Sequence, residues 1–284
     1  MHRFALATCG STLLLIVAGG LVTSTRSGLA VPDWPLSFGQ FFPAMRGGVL
    51  FEHGHRMIAG AVSFLIAAQL VWVLRREQRS GVRWLAGAAA LAVVLQAVLG
   101  GVTVLLKLPP QVSVAHASLA QGVFCLTLAI ALATSEAWKN AAPDSGGVPA
   151  RIALRFGRIA FVLLYLQLVL GAILRHTGSA LPLHVVGALA ASGGVLALCA
   201  GILRERNVPR PLQFGAQALA LLLFVQVTLG VTALAAGVPR PVSIATAHVA
   251  VGALLLATTL FVTLWGWRLS PPAEAAPARA GATA

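Results

Sequence analysis

The chain has 284 residues, 58% of them apolar and only 10% charged, with 29 glycines, a composition that excludes an ordinary water-soluble domain. A bilayer-crossing helix takes ~20 mostly apolar residues, so the apolar content suffices for about eight spans and leaves little for a soluble part. The net charge of +13 would point to nucleic acid in a soluble protein, but these charges fall between the apolar runs, where membrane topology accounts for them and no nucleic-acid partner is needed.

Apolar runs cover residues 4–25, 56–74, 84–106, 113–135, 156–175, 183–203, 212–235 and 243–267, and each is predicted helical because lipid offers the backbone no water. The first, with Arg3 ahead of it and small residues at 28–30, has the outline of a secretory signal. It is longer than a signal core and seven more spans follow, so it is read as a retained helix. A long segment, 26–51, rich in Pro, Trp and Phe, separates the first two spans. The expected division is an N-terminal four-helix half (1–135), a polar cytoplasmic linker (136–155), a C-terminal four-helix half (156–267) and a disordered tail (268–284). Cys9, Cys125 and Cys199 lie inside apolar runs without CxxC spacing, so neither a disulfide nor a structural zinc site is expected.

The basic residues alternate by loop. With a cytoplasmic N-terminus, the inner side holds Arg3, the cluster Arg75 to Arg83, Lys139 with Arg151 to Arg158, Arg204 to Arg210, Arg268 and Arg279, which is fourteen of the twenty. The outer side keeps Arg26, Arg46, Arg56, Lys107, Arg175 and Arg240. This asymmetry predicts a multi-pass protein with both termini in the cytoplasm.

An internal repeat is visible. Gln96-Ala-Val-Leu-Gly100 recurs as Gln226-Val-Thr-Leu-Gly230, and each leads through an outer loop to Val-Ser and a histidine: Val112, Ser113 and His116, then Val242, Ser243 and His248. The stretch Arg26 to Pro32 likewise echoes His176 to Pro182. Two halves with an even number of spans run the same way through the membrane, so the predicted fold is all-α, eight transmembrane helices forming two parallel-repeat four-helix bundles.

Of seven histidines, four stand near the outer ends of even-numbered spans: His55, His116, His184 and His248. An ionisable group in a span is costly to bury and marks a site. Two facing helices of a bundle can present imidazoles to both faces of a flat cofactor, and the pairs are His55 with His116 and His184 with His248. No third histidine, cysteine or paired carboxylate lies at that depth, which suits haem better than bare zinc or copper. Gly100-Gly101 and Gly193-Gly194 either make room for a macrocycle or serve close helix packing. Arg26, Arg56, Lys107, Arg175 and Arg240 either meet haem propionates or snorkel.

The halves are unequal. Glu52 precedes His55 by three residues and shares its helical face, whereas nothing acidic precedes His184. Glu52 is a candidate for chemistry beside the haem face, with a helix cap as the alternative. His53 is read as a loop or surface residue.

These residues resemble the haem A synthase family over about 10–267. The marks are the segment Thr23 to Pro35, Glu52-His-Gly-His55-Arg56, the two Gln-x-x-Leu-Gly segments, and the histidines of the fourth, sixth and eighth spans. The resemblance implies an oxidoreductase acting on a CH group, converting the C8 methyl of haem O to the formyl of haem A. It implies haem b (iron) held by His184 and His248, substrate binding by His55, His116 and Arg56, and a catalytic role for Glu52. The setting it implies is the bacterial inner membrane, beside haem O synthase (protohaem farnesyltransferase) and an oxidase assembly pathway. Some members carry a cysteine pair in the first outer loop; here residues 30–42 hold no thiol, which removes any loop-disulfide mechanism. A two-haem electron-transfer cytochrome would also use four histidines but leaves the unequal halves unexplained. A haem or solute transporter would be expected to carry broken helices and mid-membrane charges.

Overall fold

The computed structural model describes residues 1–142, 145–237 and 240–270. It is helical throughout apart from loops and an isolated bridge between Ser37 and Gln40. The helices are α1 (His2–Ser24), α2 (Gly48–Arg76), α3 (Ser80–Leu105), α4 (Pro110–Ala133), the short α5 (Glu136–Lys139), α6 (Gly147–Thr177), α7 (Leu181–Leu203), α8 (Arg210–Ala235) and α9 (Val242–Leu269). Eight of them, all but α5, are long and apolar enough to cross a membrane, and the chain is a multi-pass membrane protein.

Most helices outrun the apolar runs that mark them, because hydropathy registers the segment in hydrocarbon while the backbone stays helical into the polar ends. Helix α2 begins eight residues before 56 and takes in Glu52 to Arg56. Similarly α6 starts at Gly147, inside the expected linker, and α9 reaches Leu269, two residues into the expected tail. The remainder of that tail, 271–284, lies outside the described residues. The linker is anchored: Ser135 caps α5 by accepting the Trp138 amide, the Trp138 indole meets those of Trp265 and Trp267 at 5.3 and 6.1 Å, and the Gly146 amide donates to the Leu269 carbonyl.

Helices α1 to α4 close into one ring, each touching its sequence neighbours and α4 returning to α1; α6, α7, α8 and α9 close into a second in the same order. The rings meet through α1 with α9, α4 with α6, and α4 with α9. Exchanging α1 with α6 and α4 with α9 leaves that set of contacts unchanged, as two repeated halves would give. Close approach rests on small residues: a Cβ on Gly157 would collide with Thr263 of α9, and one on Gly266 would stand 2.6 Å from the Leu154 nitrogen. Threonines inside the helices, such as Thr8, Thr12, Thr259 and Thr263, donate to the carbonyl four residues back, so their hydroxyls are satisfied without water.

The seam between rings is polar at the end that carries the histidines. Arg175 Nη2 donates to the Gly20 carbonyl (2.8 Å) and to Ser24 Oγ (2.7 Å), and Ser24 and Thr246 hydroxyls pair at 3.0 Å. Arg175, expected either as a propionate partner or as a snorkelling side chain, therefore joins α6 to α1.

Candidate functional site

Each of the four histidines lies half-buried with its imidazole against a glycine of the preceding long helix. A Cβ on Gly19 of α1 would come within 3.1 Å of His55 Cε1, on Gly100 of α3 within 3.2 Å of His116, on Gly171 of α6 within 3.1 Å of His184, and on Gly230 of α8 within 3.1 Å of His248. Any side chain there would push the ring away, so the glycines set where the imidazoles stand. Gly100 is thus a histidine seat, while Gly101 lies under the Trp34 indole (Cδ2 at 2.7 Å from a built Cβ). Gly194 is a packing glycine, facing Leu163 and Ala160 of α6.

One turn before three of these glycines stands a glutamine. Gln96 Nε2 donates to the His116 carbonyl at 2.9 Å, Gln167 Nε2 donates to the His184 carbonyl at 2.9 Å and lies 3.1 Å from its Nδ1, and Gln226 Nε2 lies 3.3 Å from His248 Nε2. The repeat in the sequence marks Gln96 and Gln226; Gln167-Leu-Val-Leu-Gly171 has the identical spacing, the signal that marks Gln167 as well. In α1 the equivalent position is Leu15.

In the C-terminal ring the His184 and His248 ring centroids are 6.5 Å apart, the planes inclined by 67°. With metal–imidazole bonds of ~2 Å on each side, that separation admits one metal atom between the rings. In the N-terminal ring, His55 and His116 come from α2 and α4, which face each other across the bundle. The Nδ1 atoms of His55, His116 and His248, and the Oε1 atoms of Gln96, Gln167 and Gln226, are buried without a hydrogen-bond partner among the described residues. No group of three or more His, Cys, Asp or Glu side chains is placed to hold a metal ion among the described residues. Paired imidazoles with spare nitrogens in a glycine-lined bundle are a donor set that fits a haem iron.

The N-terminal ring carries a further layer. Glu52, 4% exposed, accepts the Val31 amide on Oε2 (2.8 Å) and the Arg56 guanidinium on Oε1 (2.6 Å). Arg56 Nη1 donates to the Asp33 and Leu36 carbonyls at 2.7 and 2.8 Å, and Nη2 reaches the Val31 carbonyl at 3.4 Å. Helix α2 begins at Gly48 with no acidic residue in its first turn, so Glu52 sits one turn too deep to be a cap. His53 is helical, buried, and paired with Ser37 Oγ at 2.8 Å, unlike the loop or surface residue expected; α2 starts early enough to enclose it beneath the loop. Asp33 accepts the Phe38 and Gly39 amides, and those bonds hold its carboxyl below the usual range. Loop 25–47 is thereby fastened across the histidine end of the first ring. The counterpart between α6 and α7 is only three residues, entered through the left-handed Gly178 (φ 71°).

Residues 44–184 match the model of the COX15-CtaA family, described as cytochrome oxidase assembly protein. The matched stretch includes Glu52, His55, Arg56 and His116 and ends on His184. Over that stretch, just under half of its length, the chain is similar to this family. It is 33% identical over 188 residues to the Heme A synthase of Symbiobacterium thermophilum, covering 64% of this chain and 61% of that one. It is 29% identical over 220 residues to that of Bacillus pumilus (75% and 68%), and 33% identical over 154 residues to that of Caulobacter vibrioides (49% and 43%). The chain thus spans about three-fifths of the length of the first of these relatives. In family terms, the shared segment holds the N-terminal histidine pair with its carboxylate, while His248 lies beyond the matched residues.

Proposed function

We propose that the chain is a haem A synthase, oxidising the C8 methyl of haem O to a formyl group in the cell membrane, with its histidine end facing outward. His184 and His248 hold a resident haem b, and His55 and His116 flank the iron of the substrate porphyrin. The observation that carries this reading is the contrast between halves: both seat two histidines on glycines, but only the N-terminal half adds a buried carboxylate–guanidinium pair and a fastened loop. A two-haem electron carrier would have no use for that difference.

A haem held by His184 and His248 would supply a redox centre able to pass on, to an external oxidant, the four electrons that leave when the methyl group and one water become a formyl group. The chain's own residues do the rest. Glycine seats and glutamine amides orient the imidazoles. Loop 25–47, held by Glu52 and Arg56, covers the histidine end of the N-terminal half. Withdrawing electrons from a methyl beside the porphyrin builds positive charge, and the Glu52 carboxylate is a preorganised anion for it. Arg56 holds the carboxylate in place, its guanidinium also donating to three loop carbonyls. Contact with haem O synthase and delivery into oxidase assembly follow from the same reading.

The test is pigment extraction from membranes of a haem O-producing host with and without the chain. Formyl haem should appear only with it; unchanged haem composition would instead favour an electron carrier. His184→Ala and His248→Ala should each lose the resident six-coordinate haem, whereas His55→Ala and His116→Ala should spare it and lose turnover.

A further inference from the structure

Three of the four histidine-bearing helices are tied to the preceding long helix by a glutamine amide, and one is not. In α3–α4 and α6–α7 the amide donates to the backbone carbonyl of the histidine itself, and in α6–α7 and α8–α9 it reaches the imidazole. These amides fix helix register at the level of the ring and hold ring orientation, as hydrogen-bond partners of metal ligands do. The α1–α2 pair has the same glycine seat, Gly19 under His55. Yet Leu15, which has no hydrogen-bonding side chain, stands where the amide would be, half-buried against the core. What ties α2 there is the loop, through Glu52 to Val31 and Arg56 to Asp33 and Leu36.

We infer that Gln96, Gln167 and Gln226 are positioning residues for His116, His184 and His248, and that His55, left without one, is the exchangeable axial ligand. This rests on the histidines being iron ligands as proposed above. A resident cofactor needs two held ligands, and the C-terminal site has them. A site that must take in one porphyrin and release another needs one held ligand and one that lets go. His116 with Gln96 is the first, His55 with Leu15 the second.

The experiment uses the purified full chain in lipid nanodiscs with haem b as probe. Gln167→Leu and Gln226→Leu should each weaken retention of the C-terminal haem by ~10–100-fold and change its low-spin electron paramagnetic resonance signal. Leu15→Gln, in a His248→Ala background so that only the N-terminal site can hold the probe, should slow haem release by about tenfold. Unchanged retention and unchanged spectra in both leucine variants, or a release rate unaltered or raised by Leu15→Gln, would overturn the inference. If a leucine variant does not accumulate in the membrane, the Leu15→Gln release rate decides alone. Failure of the underlying ligand assignment reads differently: with the N-terminal site emptied by His55→Ala and His116→Ala, adding His184→Ala would then leave a six-coordinate spectrum.

Discussion

Glu52 and Arg56, one turn apart on α2 and 2.6 Å from each other, form an ion pair whose remaining contacts all go to the loop between α1 and α2. Glu52 holds the Val31 amide, and Arg56 holds the carbonyls of Asp33 and Leu36. The pair is nearly out of water, at 5% and 15% side-chain exposure, so removing one member leaves the other poorly compensated. One ion pair thus links α2, one turn before His55, to the loop between α1 and α2.

Glu52→Gln separates charge from scaffold. The amide oxygen can still accept the Val31 amide, while the charge is gone. We expect a loss of about 1.5–3 kcal/mol in stability, the range for a hydrogen bond to a charged group, and a fall in haem A output of ~100-fold. A double-mutant cycle with Arg56→Leu should give a coupling of about 0.5–3 kcal/mol. Normal output from Glu52→Gln at matched protein level would reduce Glu52 to a loop fastener.

The outward orientation of the histidine end is open to cysteine labelling, because Cys9, Cys125 and Cys199 are all buried and give no background. Gln40 and Ser80 are exposed at opposite ends of α2. Gln40→Cys should react with a membrane-impermeant maleimide in intact cells, and Ser80→Cys only after permeabilisation. The opposite pattern would invert the topology inferred from fourteen inner against six outer basic residues.

Much of this was legible in the sequence because the membrane restricts the choices. Spans, their number and the histidine pairs follow from hydropathy and from a repeat in which Gln96 to His116 mirrors Gln226 to His248. Helix ends were not, since charge does not stop a helix leaving the bilayer: α2 starts at Gly48 and includes His53, which the sequence places in a loop or at the surface. The seats under His55 and His184 were also hidden. Gly19 lacks the glutamine that flags the others, and Gly171 lies outside the two segments most alike. The loop fastening depends on side chain to backbone bonds between residues 20 or more apart, for which a single sequence carries no periodic signal.

At the opposite end, the turn from α2 to α3 is an acid-sensitive element. Arg79 donates to both oxygens of Glu77, and the Gln78 and Arg79 amides also donate to it. The hydrogen bonds from Arg79, more than the Gln78 amide, push the carboxyl down to about 2. A lowered folded-state pKa means the stabilisation is complete above the ordinary 4.5 and is lost as pH falls towards 2. Wild type should therefore melt above Glu77→Gln by an amount near 1 kcal/mol that is constant from pH 7 to about 5 and shrinks between 4.5 and 2. A difference that stayed level through pH 3 would show that the charge contributes nothing to the turn.

The glycine seats give the sharpest contrast between helix propensity and site geometry. In a helix interior, Gly→Ala favours the helix by about 1 kcal/mol, so a glycine without a local task should yield a neutral or stabilised variant. At Gly171 and Gly230 the new methyl would stand 3.1 Å from His184 and His248 Cε1, closer than ordinary contact. The ring must then shift by a few tenths of an ångström, away from the axis it shares with its partner. We expect Gly171→Ala and Gly230→Ala to insert and melt like the parent but to lose or broaden the haem b spectrum. Gly19→Ala and Gly100→Ala, with the same crowding at His55 and His116, should keep that spectrum and lose turnover. Gly122, which has nothing within 4 Å of a built Cβ, is the control, and Gly122→Ala should change neither. Full haem b in Gly230→Ala, together with full turnover in Gly100→Ala, would mean that the imidazoles tolerate the displacement and that the glycines serve helix packing alone.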